Sequence, residues 1–222
     1  MPEKSAGISL DADSVEMLNS VLQDCDLVSC VVDRDSRLAI VTANVFRILP
    51  EDGLVDEEYP LCLAVYPVGR VAASHVVEGE VQPLALESIN QVLRGFSYHG
   101  IEDWDIIDPP VSLQFKWRDK VSLDARWGDN QEHVMELWQD GAPIQLFNMA
   151  LWFDRLYVFD MNLRPVSLDM LVEWEERLKV AMHESVGPGG GWSRSIPAPS
   201  PPVQLSRVLD LIREGPGQSG TA

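Results

Sequence analysis

The chain of 222 residues is 45% hydrophobic and carries 35 Asp and Glu against 17 Lys and Arg, a net charge of −18. Such an anionic surface argues against nucleic acid and anionic membrane as partners, since both need clustered cations. No uninterrupted apolar run approaches the ~20 residues of a membrane span. Met1–Asp13 lacks the basic and apolar regions of a signal peptide, so the expected setting is cytoplasmic with reduced thiols.

The first element reads as a helix. Asp13 and Glu16 have capping-box spacing, and Met17, Leu18, Val21 and Leu22 form a one-sided apolar stripe. Leu27–Asp33 and Arg37–Leu49 read as strands about the turn cluster Arg34-Asp35-Ser36. Glu51–Glu58 reads as an acidic loop. Leu61–Val68 is a further strand, which Val71–Val77 can continue past Pro67 and Gly69. Pro83 then suits the first turn of a helix, with Leu86, Ile89, Leu93 and Phe96 on one face and Gly95 as its stop signal.

In the second half, Val111–Trp117 and Val121–Trp127 alternate apolar and polar residues, which predicts an antiparallel hairpin with Phe115, Trp117, Leu123 and Trp127 inward. His133–Gln139, Ile144–Phe153 and Leu156–Phe159 follow as strands. Ser167 opens a helix with Leu171, Trp174, Leu178 and Met182 along one face. The fold class expected is α+β, with mainly antiparallel strands in meanders and hairpins covered by a few helices. The body spans residues 1–183, as one unit or as two packed halves, 1–97 and 98–183. Each half runs strands first and a helix last, without residue matches at a fixed period.

Residues 184–202, rich in Gly and Pro, read as a linker. Within 203–214, Leu205, Val208, Leu209 and Ile212 follow the i, i+3, i+4, i+7 rule of an amphipathic helix. This segment is expected to be loosely placed in the free chain and to dock on the body or on a partner. Residues 215–222 read as a disordered end. The whole tail is therefore expected to be flexible.

No catalytic, cofactor or metal motif is present. Cys25, Cys30 and Cys62 have neither CxxC nor zinc-site spacing and read as buried structural thiols. The densest polar cluster is His99, Glu102, Asp103, Asp105 and Asp108, which offers carboxylates and a His for acid–base work. In a strand, however, Asp103 and Asp105 fall on the face opposite Glu102, and a charged edge strand accounts for the pattern. His75, His133 and His183 read as structural or surface residues. The Trp residues read as core filling rather than as a stacking platform.

The acidity belongs to the body: residues 1–80 are net −10, 81–183 net −8 and 184–222 neutral. Glu51, Asp52, Asp56, Glu57 and Glu58 make its densest patch. A small acidic α+β layout is compatible with that of bacterial toxin-neutralising immunity proteins, a likeness of composition and not of motif. The leading expectation is a non-enzymatic adaptor that binds a protein partner, a basic toxin or nuclease being the sharpest case. Its candidate contacts are the acidic patch and the apolar stripe of 203–214. The alternatives are an enzyme built on the 99–108 cluster and a subunit that assembles through its tail. Under the leading reading, raising salt should slow association with a basic partner. Charge reversal at Asp52, Glu57 and Glu58 should lower the on-rate more than it raises the off-rate. Stopped-flow rates indifferent to both changes would remove the steering role.

Overall fold

The structure is a computed structural model that describes residues 7–22, 25–48, 55–94, 101–107, 127–128, 131–141, 145–184 and 203–213. Among the described residues, four helices and seven strands form an α+β arrangement. In chain order these are α1 (Ala12–Leu22), β1 (Asp26–Asp33), β2 (Leu38–Ile48), β3 (Val55–Val77), β4 (Glu80–Pro83), α2 (Leu86–Leu93), β5 (Ile101–Ile107), β6 (His133–Gly141), β7 (Gln145–Asp160), α3 (Leu168–Glu184) and α4 (Leu205–Arg213).

All strands join one antiparallel sheet of order β1-β2-β3-β7-β6-β5, with β4 paired to β3. The order is palindromic. Each half contributes a three-stranded meander, and the halves meet at their third strands, β3 and β7. That shared ladder runs from Leu61 opposite Asp160 to Val77 opposite Gln145. β3 therefore continues through Pro67 and Gly69, and the two strands expected over Ile144–Phe153 and Leu156–Phe159 are one strand, Gln145–Asp160, with Ile144 outside the described residues.

Register explains the two faces. Cys30, Val41, Leu63 and Val158 stand opposite one another across β1, β2, β3 and β7. All four lie in the main core, with Leu18 and Leu22 of α1, Ile89 and Leu93 of α2, and Leu171 and Trp174 of α3. One residue along each strand, the row Val31, Ile40, Ala64 and Tyr157 points to the opposite face. Ile40, Ala64 and Tyr157 belong to a second cluster, with α4.

Both edges of the sheet are met by asparagines from helices. Asn90 of α2 accepts the Cys30 backbone N–H at 2.8 Å. Asn19 of α1 accepts the Ile106 N–H at 2.9 Å and donates to the Ile106 carbonyl at 3.5 Å. Free backbone groups at an edge invite further strands, and these side chains occupy them. Ser20 of α1 donates to Glu175 of α3, and Tyr59 meets Trp174 edge-on at 5.3 Å.

Several local expectations change. The α1 cap is Asp11, whose Oδ1 accepts the Ser14 N–H at 2.9 Å, while Asp13 lies inside the first turn. The backbone and hydroxyl of Ser14, with Ser9, hold the Asp11 carboxyl below its usual range. The cap has to accept from the third helical residue, and only Asp11 stands at that offset from a helix beginning at Ala12. Pro83 closes β4 rather than opening α2. At α3, Ser167 is the cap, accepting the Met170 N–H at 3.3 Å. The expected hairpin lies outside the described residues except for Trp127, which packs half-buried on the main core. Gly95 and Phe96 lie outside them as well, as do residues 185–202 and 215–222.

The three cysteines are free and buried. Burial pushes the Cys30 and Cys62 thiols up to about 12 from the ordinary 9.0, since a low-dielectric surrounding disfavours the thiolate. The folded chain thus keeps two protons that the unfolded chain gives up above pH ~9. Their stabilisation is complete below that pH and is lost as pH rises toward about 12. Cys30→Ala and Cys62→Ala should each lower stability at neutral pH yet flatten its decline between pH ~9 and ~12. Urea unfolding across that range checks this, and parallel declines in parent and variants would contradict it.

Candidate functional site

Three sheet strands and the tail helix build an apolar site on the face opposite α1–α3. Leu38 and Ile40 come from β2, Cys62 and Ala64 from β3, and Tyr157 and Phe159 from β7. These strands read as continuous apolar runs, as strands covered on both faces do. α4 lays Val208 and Ile212 into the cluster, and Val203, Leu205, Leu209 and Leu211 pack half-buried against it. Ser206, Arg207, Asp210 and Arg213 face solvent.

The expected helix is therefore present, as α4, and lies against the chain's own sheet. The reason is the second apolar parity of β2, β3 and β7, which has to be covered. Leu205, Val208, Leu209 and Ile212 all join this contact. Leu211, outside the i, i+3, i+4, i+7 stripe, joins it too. The receptor residues on the sheet were missed. Their signal lies in Leu38–Val41 and Leu61–Val65, where both parities are apolar.

One end of this site is shaped by a bulge in the central ladder, with a register shift between Val68 and Arg70. Tyr66 packs against the cluster beneath α4. Past it, Pro67 has no N–H to give, which suits a bulge. The turn between β1 and β2 takes up the backbone groups left over. The Val68 N–H donates to the Arg37 carbonyl at 2.7 Å, and Arg37 Nε donates to the Val68 carbonyl at 2.8 Å. The Gly69 carbonyl accepts from Trp127 N at 2.6 Å and Gly128 N at 3.1 Å. Beyond the bulge, the Arg70 guanidinium lies 4.7 Å from the ring centroid of buried Trp152, a cation–π contact.

Asp160, buried where β7 ends, organises the turn into α3. Its Oδ1 accepts the N–H groups of Asn162 and Arg164, both at 2.8 Å. Leu163 adopts φ 61° in that turn and reaches the α4 cluster.

The acidic patch is not one loop. Asp56, Glu57 and Glu58 lie in β3, where Asp56 stands opposite Arg47 of β2, because the ladder extends further than the acidic composition suggests. Glu51 and Asp52 are outside the described residues. In the other polar cluster, Glu102, Asp103 and Asp105 lie along β5 at the sheet edge, with Asp103 and Asp105 at alternate positions. His99 and Asp108 are outside the described residues. His75 contacts Gln145 at 3.3 Å, and His133 tilts onto Phe153 with centroids 5.9 Å apart. Among the described residues no group of three His, Cys, Asp or Glu is placed to hold a metal ion, and no helix is long and apolar enough to cross a membrane.

Comparison of the chain with models of known families, with curated proteins and with solved structures gives no match.

At Gly69 the end of the Gln131 side chain comes close. A Cβ there would lie 1.7 Å from Oε1 of Gln131, an atom buried without a hydrogen-bond partner. Gly69→Ala must displace the end of that flexible side chain and should destabilise the fold by no more than about 1 kcal/mol. Adding Gln131→Ala should recover at least half of the loss. Chemical denaturation of the four species in a double-mutant cycle reads the coupling, and additive losses would refute the contact.

Proposed function

We propose that the chain is a non-enzymatic binding protein whose docking site is the apolar patch of Leu38, Ile40, Cys62, Ala64, Tyr157 and Phe159, with α4 as its resident occupant. The observation carrying this reading is the match between a sheet face apolar on its second parity and a short amphipathic helix that follows a Gly/Pro-rich segment. A partner's apolar helix takes α4's place, the helix-in-groove mode. The acidity of the body favours a basic partner, and an inhibitor of a basic toxin or nuclease is the sharpest form of the reading.

Magnitudes support exchange. Burying two α4 side chains fully and three by about half contributes roughly 5–10 kcal/mol. Ordering nine residues costs roughly 9–18 kcal/mol, so the two are near balance. Nine residues are also too few for a stable isolated helix. The tether, with an effective concentration of about millimolar, tips docking toward the closed state without locking it. A segment balanced in this way opens at low free-energy cost.

Cys62 reports the opening, because its thiol sits in the covered patch, whereas Cys25 and Cys30 lie in the other core. Val208→Asp combined with Ile212→Asp should raise the labelling rate of Cys62 at least tenfold while leaving Cys25 and Cys30 slow, as read by mass spectrometry. The variant should also bind a synthetic peptide of residues 203–214 more tightly than the parent does. Unchanged Cys62 labelling together with no gain in peptide binding would defeat the reading.

A further inference from the structure

The floor beneath α4 is not level. On β3, the parity that faces α4 runs Pro60, Cys62, Ala64 and Tyr66. Two small side chains therefore lie between two that carry rings. The flanking strands raise the sides. Ile40 and Tyr157 stand on either side of Ala64, and Thr42 and Phe159 on either side of Cys62. All six of these residues are buried, Thr42 at 2% exposure. The result is a depression two residues long and one strand wide. Within α4, Val208 and Ile212 are the buried residues, one turn apart, whereas Leu205, Leu209 and Leu211 stay half-buried. A four-residue step along a helix rises ~6 Å, and a two-residue step along a strand ~6.7 Å. Two side chains at i and i+4 thus match the depression in length as well as in number.

We infer that this depression selects the helix it receives by side-chain size: it takes a helix with Val or Ile at two positions four residues apart and excludes one with an aromatic ring at either. The inference rests on the proposed docking role of the patch and names the class of partner helix that can take α4's place. Close-packed surfaces respond to a change of a single methylene. Cys62 and Ala64 leave room for short side chains. A ring entering there would have to push apart walls that belong to strands held in register by their ladders. β-branching adds a second advantage, since Val and Ile keep essentially one χ1 rotamer in a helix and lose little freedom on docking. The rim is more permissive, because Leu205 and Leu211 already reach solvent. Pro60 and Tyr66 bound the depression at its ends, so the partner's signature is two anchors one turn apart and not an extended heptad pattern.

The test uses the full chain and reads the labelling rate of Cys62 by mass spectrometry, since Cys62 lies in the floor that α4 covers. Val208→Trp and Ile212→Trp should each raise that rate about tenfold or more. Leu205→Trp and Leu211→Trp, at the rim, should change it by less than about threefold. From the floor side, Ala64→Leu should raise the rate about tenfold or more, and adding Val208→Ala or Ile212→Ala should bring it back toward that of the parent. Circular dichroism and slow labelling of Cys25 and Cys30 confirm that the sheet is intact. If Ala64→Leu does not fold, Ala64→Val takes its place, and the tail variants leave the sheet unaltered. Synthetic peptides of residues 203–214, added to the chain carrying Val208→Asp and Ile212→Asp, should follow the same order in fluorescence anisotropy. Trp in place of Val208 or Ile212 should weaken the peptide about tenfold or more, and Trp in place of Leu205 or Leu211 by less than about threefold. Equal effects of Trp at anchor and rim, or no rescue of the floor variant by either alanine, overturn the inference and leave the exchange of α4 untouched. Cys62 labelling that ignores even the paired Asp substitutions defeats the docking reading itself, and the inference with it.

Discussion

Everything else in the fold hangs from the ladder between β3 and β7. Among the described residues it is the only pairing that joins strands from the two halves of the chain, and it is the longest in the sheet. Two long strands twist against each other, and a bulge releases part of the resulting mismatch by letting one strand carry an extra residue. The bulge at Val68–Arg70 does this near the ladder's middle. β2 flanks the ladder on the Leu61–Val65 side of the bulge, and β4 flanks it near Val77. The β1–β2 turn can therefore reach in through Arg37, and the segment around Trp127 can reach Gly69. A cavity lined by Tyr66, Pro67, Glu132, Asp154 and Arg155 lies beside that one irregularity.

The two faces of the sheet are covered by different means. Three helices cover one face, each contributing buried side chains to a single large core. The other face, where β2, β3 and β7 meet, is covered by a nine-residue helix separated from the body by twenty residues. The main core draws on three helices and every central strand, whereas α4 joins the second cluster through side chains and takes part in no strand pairing. Low local stability is where exchangeable contacts have to be placed, and that asymmetry is why the functional reading rests on the smaller cluster. The buried thiols follow the same division, with Cys25 and Cys30 under the three helices and Cys62 under the detachable one.

Much of the fold was legible because local pattern and tertiary environment agree. Leu27–Asp33, Arg37–Leu49 and His133–Gln139 are β-rich runs bounded by turns, and the sheet takes them almost as written. The helical stripe of 203–214 was equally clear. Its partner was not, since Leu38, Ile40, Cys62 and Ala64 show only that both faces of their strands need cover and do not name the covering element. Strand lengths misled for a related reason. The acidic stretch before Tyr59, and Asp154-Arg155 within β7, look like breaks, yet ladder hydrogen bonds with neighbouring strands override weak local propensity. The cavity was invisible to sequence reasoning because Tyr66, Glu132 and Asp154 are distant in the chain and meet only through register.

The sheet edges bear on where a partner can bind. Adding a strand to an exposed edge is a common route of recognition and also of aggregation. Here Asn90 takes the N–H at Cys30 of β1, and Asn19 takes both backbone groups at Ile106 of β5. A strand approaching either edge would have to displace a helix-borne amide, and with it part of the packing of α1 or α2 on the main core. That cost falls on Leu18 and Leu22 in one case and on Ile89 and Leu93 in the other, all buried. α4 packs only on the small second cluster, so under the proposed function displacing it would be the less costly route. The same argument accounts for the placement of the amphipathic segment beyond the Gly/Pro-rich stretch rather than within the body, where its removal would cost the fold.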